Sequence, residues 1–88
     1  MPFRVLLSKG AAKALAKFDR GLQTRIAKAI DTIAEDPFAP SYRQLKGSPS
    51  ARRARVGNYR IVFEAIADQL IVYVIRIRHR KDVYERNR

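Results

Sequence analysis

The chain has 88 residues, enough for one small domain, and it contains no cysteine and a single histidine, so a disulfide framework and a Cys- or His-rich metal site are excluded. Nineteen Lys and Arg against eight Asp and Glu give a net charge of +11, and a surface of that sign attracts polyanions because each phosphate contacted releases condensed counterions. No run approaches the roughly 20 apolar residues that cross a bilayer, and the amino terminus MPFRVLLSKG lacks the long apolar core of a secretory signal; a single domain over residues 1–88, in a reducing cytoplasmic compartment and with no membrane partner, is expected.

In chain order, Phe3, Val5 and Leu7 alternate with Arg4 and Leu6, which predicts a short strand. Ser8 is placed to cap a helix in which Ala11, Ala12, Leu15 and Phe18 recur at helical spacing, with Lys13 and Lys17 on the other side. Asp19 is placed to cap a second helix from Arg20 to about Glu35, whose stripe is Leu22, Ile26, Ala29, Ile30 and Ile33. Asp36-Pro37 ends it, because a residue before proline avoids the helical region. With almost nothing between them, the two helices form a hairpin. Residues 38–42 and 48–50 read as loop and turn.

The period then changes to two. Arg53 and Arg55 share one face of a strand, and Ala54 and Val56 the other. Gly57-Asn58 supplies the positive-φ residues of a tight hairpin, and Tyr59 to Ile66 returns. Ala67-Asp68 turns again. Gln69 to His79 is a long strand, apolar on both faces through Val74 and therefore central, with Arg76 and Arg78 continuing one of those faces and Tyr73 in the core. The expected architecture is two-layer α+β, in the order β-α-α-β-β-β, with an antiparallel sheet packed on a helical hairpin. The hairpin covers one sheet face, so the other is at least partly open.

Charge is uneven: residues 1–42 carry a net +3 and residues 43–88 a net +8. The acidic trio Asp31, Glu35 and Asp36 lies in the less basic half and reads as a solvated helix end. No Gly-rich phosphate loop is present. What remains is arginine and tyrosine: Arg52, Arg53, Arg55, Arg60, Arg76, Arg78, Arg80 and Lys81, with Tyr59, Tyr73 and Tyr84. Guanidinium groups bind phosphate through paired hydrogen bonds and can stabilise a phosphorane without a metal. A tyrosine ring can stack on an RNA base and its hydroxyl can handle a proton. The substrate that suits this set is single-stranded RNA, whose 2′-OH is an internal nucleophile. Plain nucleic-acid binding uses the same residues. Tyr59, next to the turn, reads as a packing residue.

The stretch RVGNYRIVFE, followed about ten residues later by VIRIRHRKDVY, resembles the RelE/ParE superfamily of type II toxins, its RelE branch in particular. The positions that carry the resemblance are Arg53, Arg55, Val56, Gly57, Asn58, Tyr59 and Arg60, then His79, Arg80 and Tyr84, with Leu45-Lys46-Gly47 before them. It implies a RelE-like fold over essentially the whole chain, and a toxin that cleaves mRNA in the ribosomal A site without metal or other cofactor. It also implies a RelB-like cognate antitoxin that wraps the toxin, and oligomers only through that complex. By resemblance Arg60 and Arg80 fall on the family's catalytic arginines and Tyr84 on its C-terminal tyrosine. Arg53 and Arg55 fall where other members carry lysine, arginine or, in one subgroup, glutamate; with no carboxylate here, an Arg/Tyr mechanism is favoured.

The expected catalytic set is therefore Arg55, Arg60, Arg80 and Tyr84, with Lys46, Arg52, Arg53, Arg78, His79 and Lys81 binding RNA and no residue holding a metal. Two alternatives stand beside it: a ParE-like toxin that inhibits gyrase, and a non-catalytic RNA-binding relic.

Overall fold

Two side-chain caps set the helical layer. In the computed structural model, which describes residues 2–81, α1 spans Lys9–Lys17 and α2 spans Arg20–Glu35. The Ser8 hydroxyl oxygen accepts from the Ala11 N–H at 3.0 Å, and Asp19 Oδ1 accepts from the Leu22 N–H at 2.8 Å. Each satisfies a backbone donor that a helix start otherwise leaves without a partner. Gln23 Nε2 donates to the Leu15 carbonyl at 2.9 Å and ties the two helices across their turn. Both helices bury one face, with Ala11 from α1 and Ile26, Ile30, Ile33 and Ala34 from α2.

That face rests on a five-stranded sheet ordered β1-β5-β4-β3-β2, where β1 is Arg4–Leu7, β2 Arg43–Gln44, β3 Ala51–Val56, β4 Tyr59–Ile66 and β5 Ile71–His79. Ala54, Ile61, Phe63, Val72, Val74 and Ile77 meet the helices in one core. The two-layer α+β architecture is the expected one. The sheet differs from a wholly antiparallel one in a single pairing: β1 runs parallel to β5, Val5 opposite Val72 and Leu7 opposite Val74. This follows from the helical hairpin, which carries the chain back across the sheet before the antiparallel meander begins. As expected from its two apolar faces, β5 is internal, between β1 and β4.

Four local features depart from the sequence reading. The segment after Pro40 contains β2, paired antiparallel with β3. Gln69 closes a single 3-10 turn over Ala67–Gln69, and β5 begins at Ile71 after Leu70, which has φ 54. In the β3–β4 turn only Gly57 has positive φ, so the loop has the φ signature of type II′ and not of type I′. The fourth is a bulge. Phe63 lies opposite Val74, but Val62 lies opposite Arg76, which leaves Ile75 as the extra residue. One added residue reverses the alternation, so Ile77 is buried, and Arg76 joins Tyr73 on the face away from the helices. Arg76 and Arg78 thus do not continue the Val72–Val74 face, and Tyr73, 36% exposed, is not in the core.

Candidate nucleic-acid interface

Register decides what the open sheet face carries. Arg55 of β3 stands opposite Arg60 of β4, and Arg60 opposite Arg78 of β5. Directly opposed residues point to the same face, so three guanidinium side chains form a row across three strands. The neighbouring row is Arg43, Arg53, Val62 and Arg76, from β2 through β5. Strands lie about 4.8 Å apart, well inside the Debye length of about 8 Å at physiological ionic strength, so these charges act on one another. No carboxylate stands opposite any of them in the register. Among the described residues Glu64 is the only carboxylate on a strand; it lies beyond Val62 and accepts from the Ser50 hydroxyl at 2.5 Å.

The crowding is registered at Arg53. Burial, then the charges of Arg60, Arg55 and Arg43, holds its guanidinium below the usual arginine range. A face built this way favours a ligand that brings negative charge to several points at once.

The two rows open into two clefts. A shallow one of about 430 Å³ is lined by Ser41, Tyr42, Arg43, Arg53 and Arg55. A tighter one of about 130 Å³ sits at the hairpin end, between Arg55, Arg60, Arg80 and the turn residues Gly57, Asn58 and Tyr59. Arg80 is held there by its backbone N–H, which donates to the Asn58 carbonyl at 2.8 Å. Arg55 lines both clefts. Three of the four expected catalytic residues, Arg55, Arg60 and Arg80, therefore border one space. Tyr84 lies outside the described residues.

The expected RNA-binding residues divide. Arg53 and Arg78 stand on the arginine face. Arg52 does not: it sits on the opposite face of β3, its guanidinium carbon 5.2 Å from the centre of the Phe38 ring. Lys46 is exposed in the loop before β3 and borders neither cleft. Lys81 is exposed in a helical turn that begins at Arg80. His79 also leaves the arginine face. It pairs with Tyr59 on the helix side, ring centres 5.0 Å apart and perpendicular, and Tyr59 packs edge-on against Phe18 at 5.1 Å. The Lys81 N–H donates to His79 Nδ1 at 3.1 Å. Tyr59 packs, as read from its place after the turn.

Two cations escaped the sequence reading. Arg43 joins the second row only because a two-residue strand pairs with β3, and two residues are too few to show a period. Arg25, on the exposed side of α2, reaches the β3–β4 turn: a Cβ added at Gly57 would lie 3.1 Å from its Nη2. The missing side chain at Gly57 thus accommodates an arginine as well as a positive φ.

A helical hairpin backing a mixed sheet, with rows of arginine on the face away from the helices, defines a small α+β protein with a strongly cationic sheet surface. Comparison with known proteins places it more closely. The family described as ParE toxin of type II toxin-antitoxin system, parDE, matches residues 5–84. A RelE-like toxin protein of Escherichia coli is 31% identical over 96% of this chain and 92% of its own length. Toxin RelG of Mycobacterium tuberculosis is 31% identical over 98% of this chain and 100% of its own. The RelB–RelE antitoxin–toxin complex from Methanococcus jannaschii superposes with a TM-score of 0.71 at 28% identity, over 91% of this chain and 95% of that one. The chain belongs to the RelE/ParE superfamily of toxins of type II toxin–antitoxin systems, among its RelE-like members.

Proposed function

We propose that this toxin is an endoribonuclease that cuts mRNA exposed in the ribosomal A site. The observation that supports it best is the shared cleft of Arg55, Arg60 and Arg80. In the reaction, the ribose 2′-oxygen gives up its proton and bonds to the adjacent phosphorus. The bond from phosphorus to the 5′-oxygen breaks, and that oxygen takes up a proton. The products are a 2′,3′-cyclic phosphate and a 5′-hydroxyl. Charge builds on the phosphoryl oxygens along the way, and guanidinium forks preorganised around them lower the barrier. Arg53 and Arg78 on the same face hold flanking phosphates and help keep the strand bent for in-line attack. Tyr84, by its family position, stacks on a base or handles a proton.

The proposed mechanism uses guanidinium groups where other nucleases use a metal ion. The relative solved as a RelB–RelE complex supports a cognate antitoxin as partner; an acidic segment on it would complement the arginine rows. The test is primer extension on mRNA under translation with purified toxin. Codon-phased stops are expected with the wild type and none with an Arg60→Ala, Arg80→Ala double variant. Absence of stops with the wild type, or full cleavage by the variant, overturns the reading. A phosphorothioate at the cut site should slow cleavage without rescue by Mn²⁺; rescue would place a metal in the mechanism.

The ParE family description favours a second reading, inhibition of DNA gyrase. A supercoiling assay separates the two, since an mRNA-cleaving toxin leaves gyrase turnover unchanged.

A further inference from the structure

On the helix side of the hairpin end, α1 and the end of β5 enclose a groove of about 370 Å³. Its floor is apolar and aromatic, from Phe18, Tyr59 and Ile77, and its rim carries Lys13, Lys17 and His79. The two lysines are one helical turn apart, and α1 contains no carboxylate to pair with them. Tyr59 borders this groove and also the cleft of Arg55, Arg60 and Arg80. The two spaces are thus neighbours around one tyrosine, on opposite faces of the sheet.

We infer that this groove is a second nucleotide subsite, which takes a base and phosphate flanking the segment held by the arginines. The inference rests on the proposed RNA-cutting function and extends it: the strand does not end at the arginine face but turns around the hairpin end. Two features point to a nucleotide as occupant. A base needs an aromatic face to stack on, which the Phe18, Tyr59 and His79 rings, set steeply to one another, offer singly, and its phosphate needs cations without competing carboxylates, which Lys13 and Lys17 supply. Continuity with the arginine cleft makes the flanking residue of the same strand the ligand. In this arrangement His79 contacts RNA from the helix side, away from the arginine rows.

Uncleavable 2′-O-methyl RNAs of about three and about seven nucleotides, the first shorter than and the second within the roughly 4–16 nucleotides that a single-strand site spans, test it by fluorescence anisotropy. The wild type should bind the longer RNA about tenfold more tightly, within what one stacked base provides. The Lys13→Gln, Lys17→Gln variant should lose that gain and leave the short RNA unaffected. Its salt slope on the longer RNA should fall by about 0.7, the value for one phosphate contact in a single strand. A Lys9→Gln, Lys28→Gln variant removes equal charge outside the groove and should keep the gain. Amide shifts at Gly10 and Ile77 with the longer RNA alone give a readout that needs no variant. Equal length dependence in the wild type and the Lys13/Lys17 variant overturns the inference. So do groove shifts with an acidic peptide but not with RNA, which would assign the surface to a protein partner. The Arg60→Ala, Arg80→Ala variant is the separate arm: loss of short-RNA binding there leaves the proposed function standing even if the groove fails, and retention removes that function first.

Discussion

The Ser8 hydroxyl donates to the Ile75 carbonyl at 2.6 Å while its oxygen accepts the Ala11 N–H at 3.0 Å. One side chain therefore starts α1 and satisfies the carbonyl of the bulged residue in β5. The Ser8 N–H also donates to the Val74 carbonyl at 2.9 Å, fixing the end of β1 beside the same bulge. That bulge turns Arg76 toward the open face, so a helix cap supports the layout of the arginine rows. Ser8→Ala should destabilise the fold by about 2 kcal/mol, about half from the lost cap and half from the carbonyl left without a partner. Ser8→Thr, which keeps the hydroxyl, should cost less than half of that. Urea unfolding followed by circular dichroism decides; equal stability of Ser8→Ala and the wild type would mean that water replaces both bonds.

The same residues show what could be read in the sequence. Ser8 and Asp19 were legible as caps because a cap is a local signal, and the Ile26–Ile30–Ile33 stripe because period survives over four turns. Arg53 and Arg55 opposite Ala54 were legible by strict alternation. Arg76 was not, since a bulge of one residue reverses parity without leaving a compositional trace. The β1–β5 pairing joins residues 67 apart, as at Ser8 and Ile75, and no local pattern encodes which edge the first strand takes. The convergence of Arg60 and Arg80 came from family resemblance, because strand parity alone does not relate β4 to the residue after β5. Arg25 lies off the apolar stripe of α2, and only the fold brings it to Gly57.

Gly57→Ala tests the double constraint at the hairpin. A side chain in the left-handed region costs about 1–2 kcal/mol, and the new Cβ would crowd Arg25 Nη2 at 3.1 Å. Because that atom is the end of a flexible side chain, backbone conformation should dominate. The substitution is expected to cost nearly the same in the wild type and in an Arg25→Ala background. A penalty that largely vanishes without Arg25 would make the arginine contact the reason for glycine.

Arg53→Gln should stabilise the protein at low ionic strength. Arg53 is held among Arg60, Arg55 and Arg43 with its charged form disfavoured, and removing like-charge cross-strand contacts of a few tenths to about 1 kcal/mol each should raise stability by about 1 kcal/mol. The gain should shrink as salt rises toward 1 M, where screening falls to about 3 Å. RNA affinity should drop in the same variant. A variant less stable than the wild type at every salt concentration would show that packing of the Arg53 side chain outweighs the repulsion.

Tyr42 anchors the core side of the segment that carries Arg43, its ring edge-on to Phe63 at 5.5 Å. Burial first, and the Asp36 carboxylate second, push its phenol up from 10.0. The folded state thus keeps the proton after the unfolded chain has released it. Stability from this group is complete below pH 10 and declines as pH rises above the unfolded value, about 10. Tyr42→Phe lacks that titration, so in the window that opens at about pH 10 its stability should fall less steeply than the wild type's. Parallel slopes in urea titrations over that window would mean that the phenol is as easily ionised folded as unfolded.

Arg60 sits at the centre of its row, between Arg55 and Arg78, and also borders the tight cleft. If it stabilises charge developing on the phosphate, Arg60→Ala should lower single-turnover cleavage by about 10²–10³-fold, the usual loss for one preorganised donor. Arg60→Lys should recover only part, because an ammonium supplies charge without the two-pronged geometry of a guanidinium. Neither variant should unfold more easily than the wild type, since each keeps or reduces the positive charge between two arginines. Activity lost while the urea midpoint holds or rises assigns Arg60 to the reaction. Activity and midpoint falling together would make it a structural residue, its place in the row a matter of packing the stem of the side chain against β3 and β5.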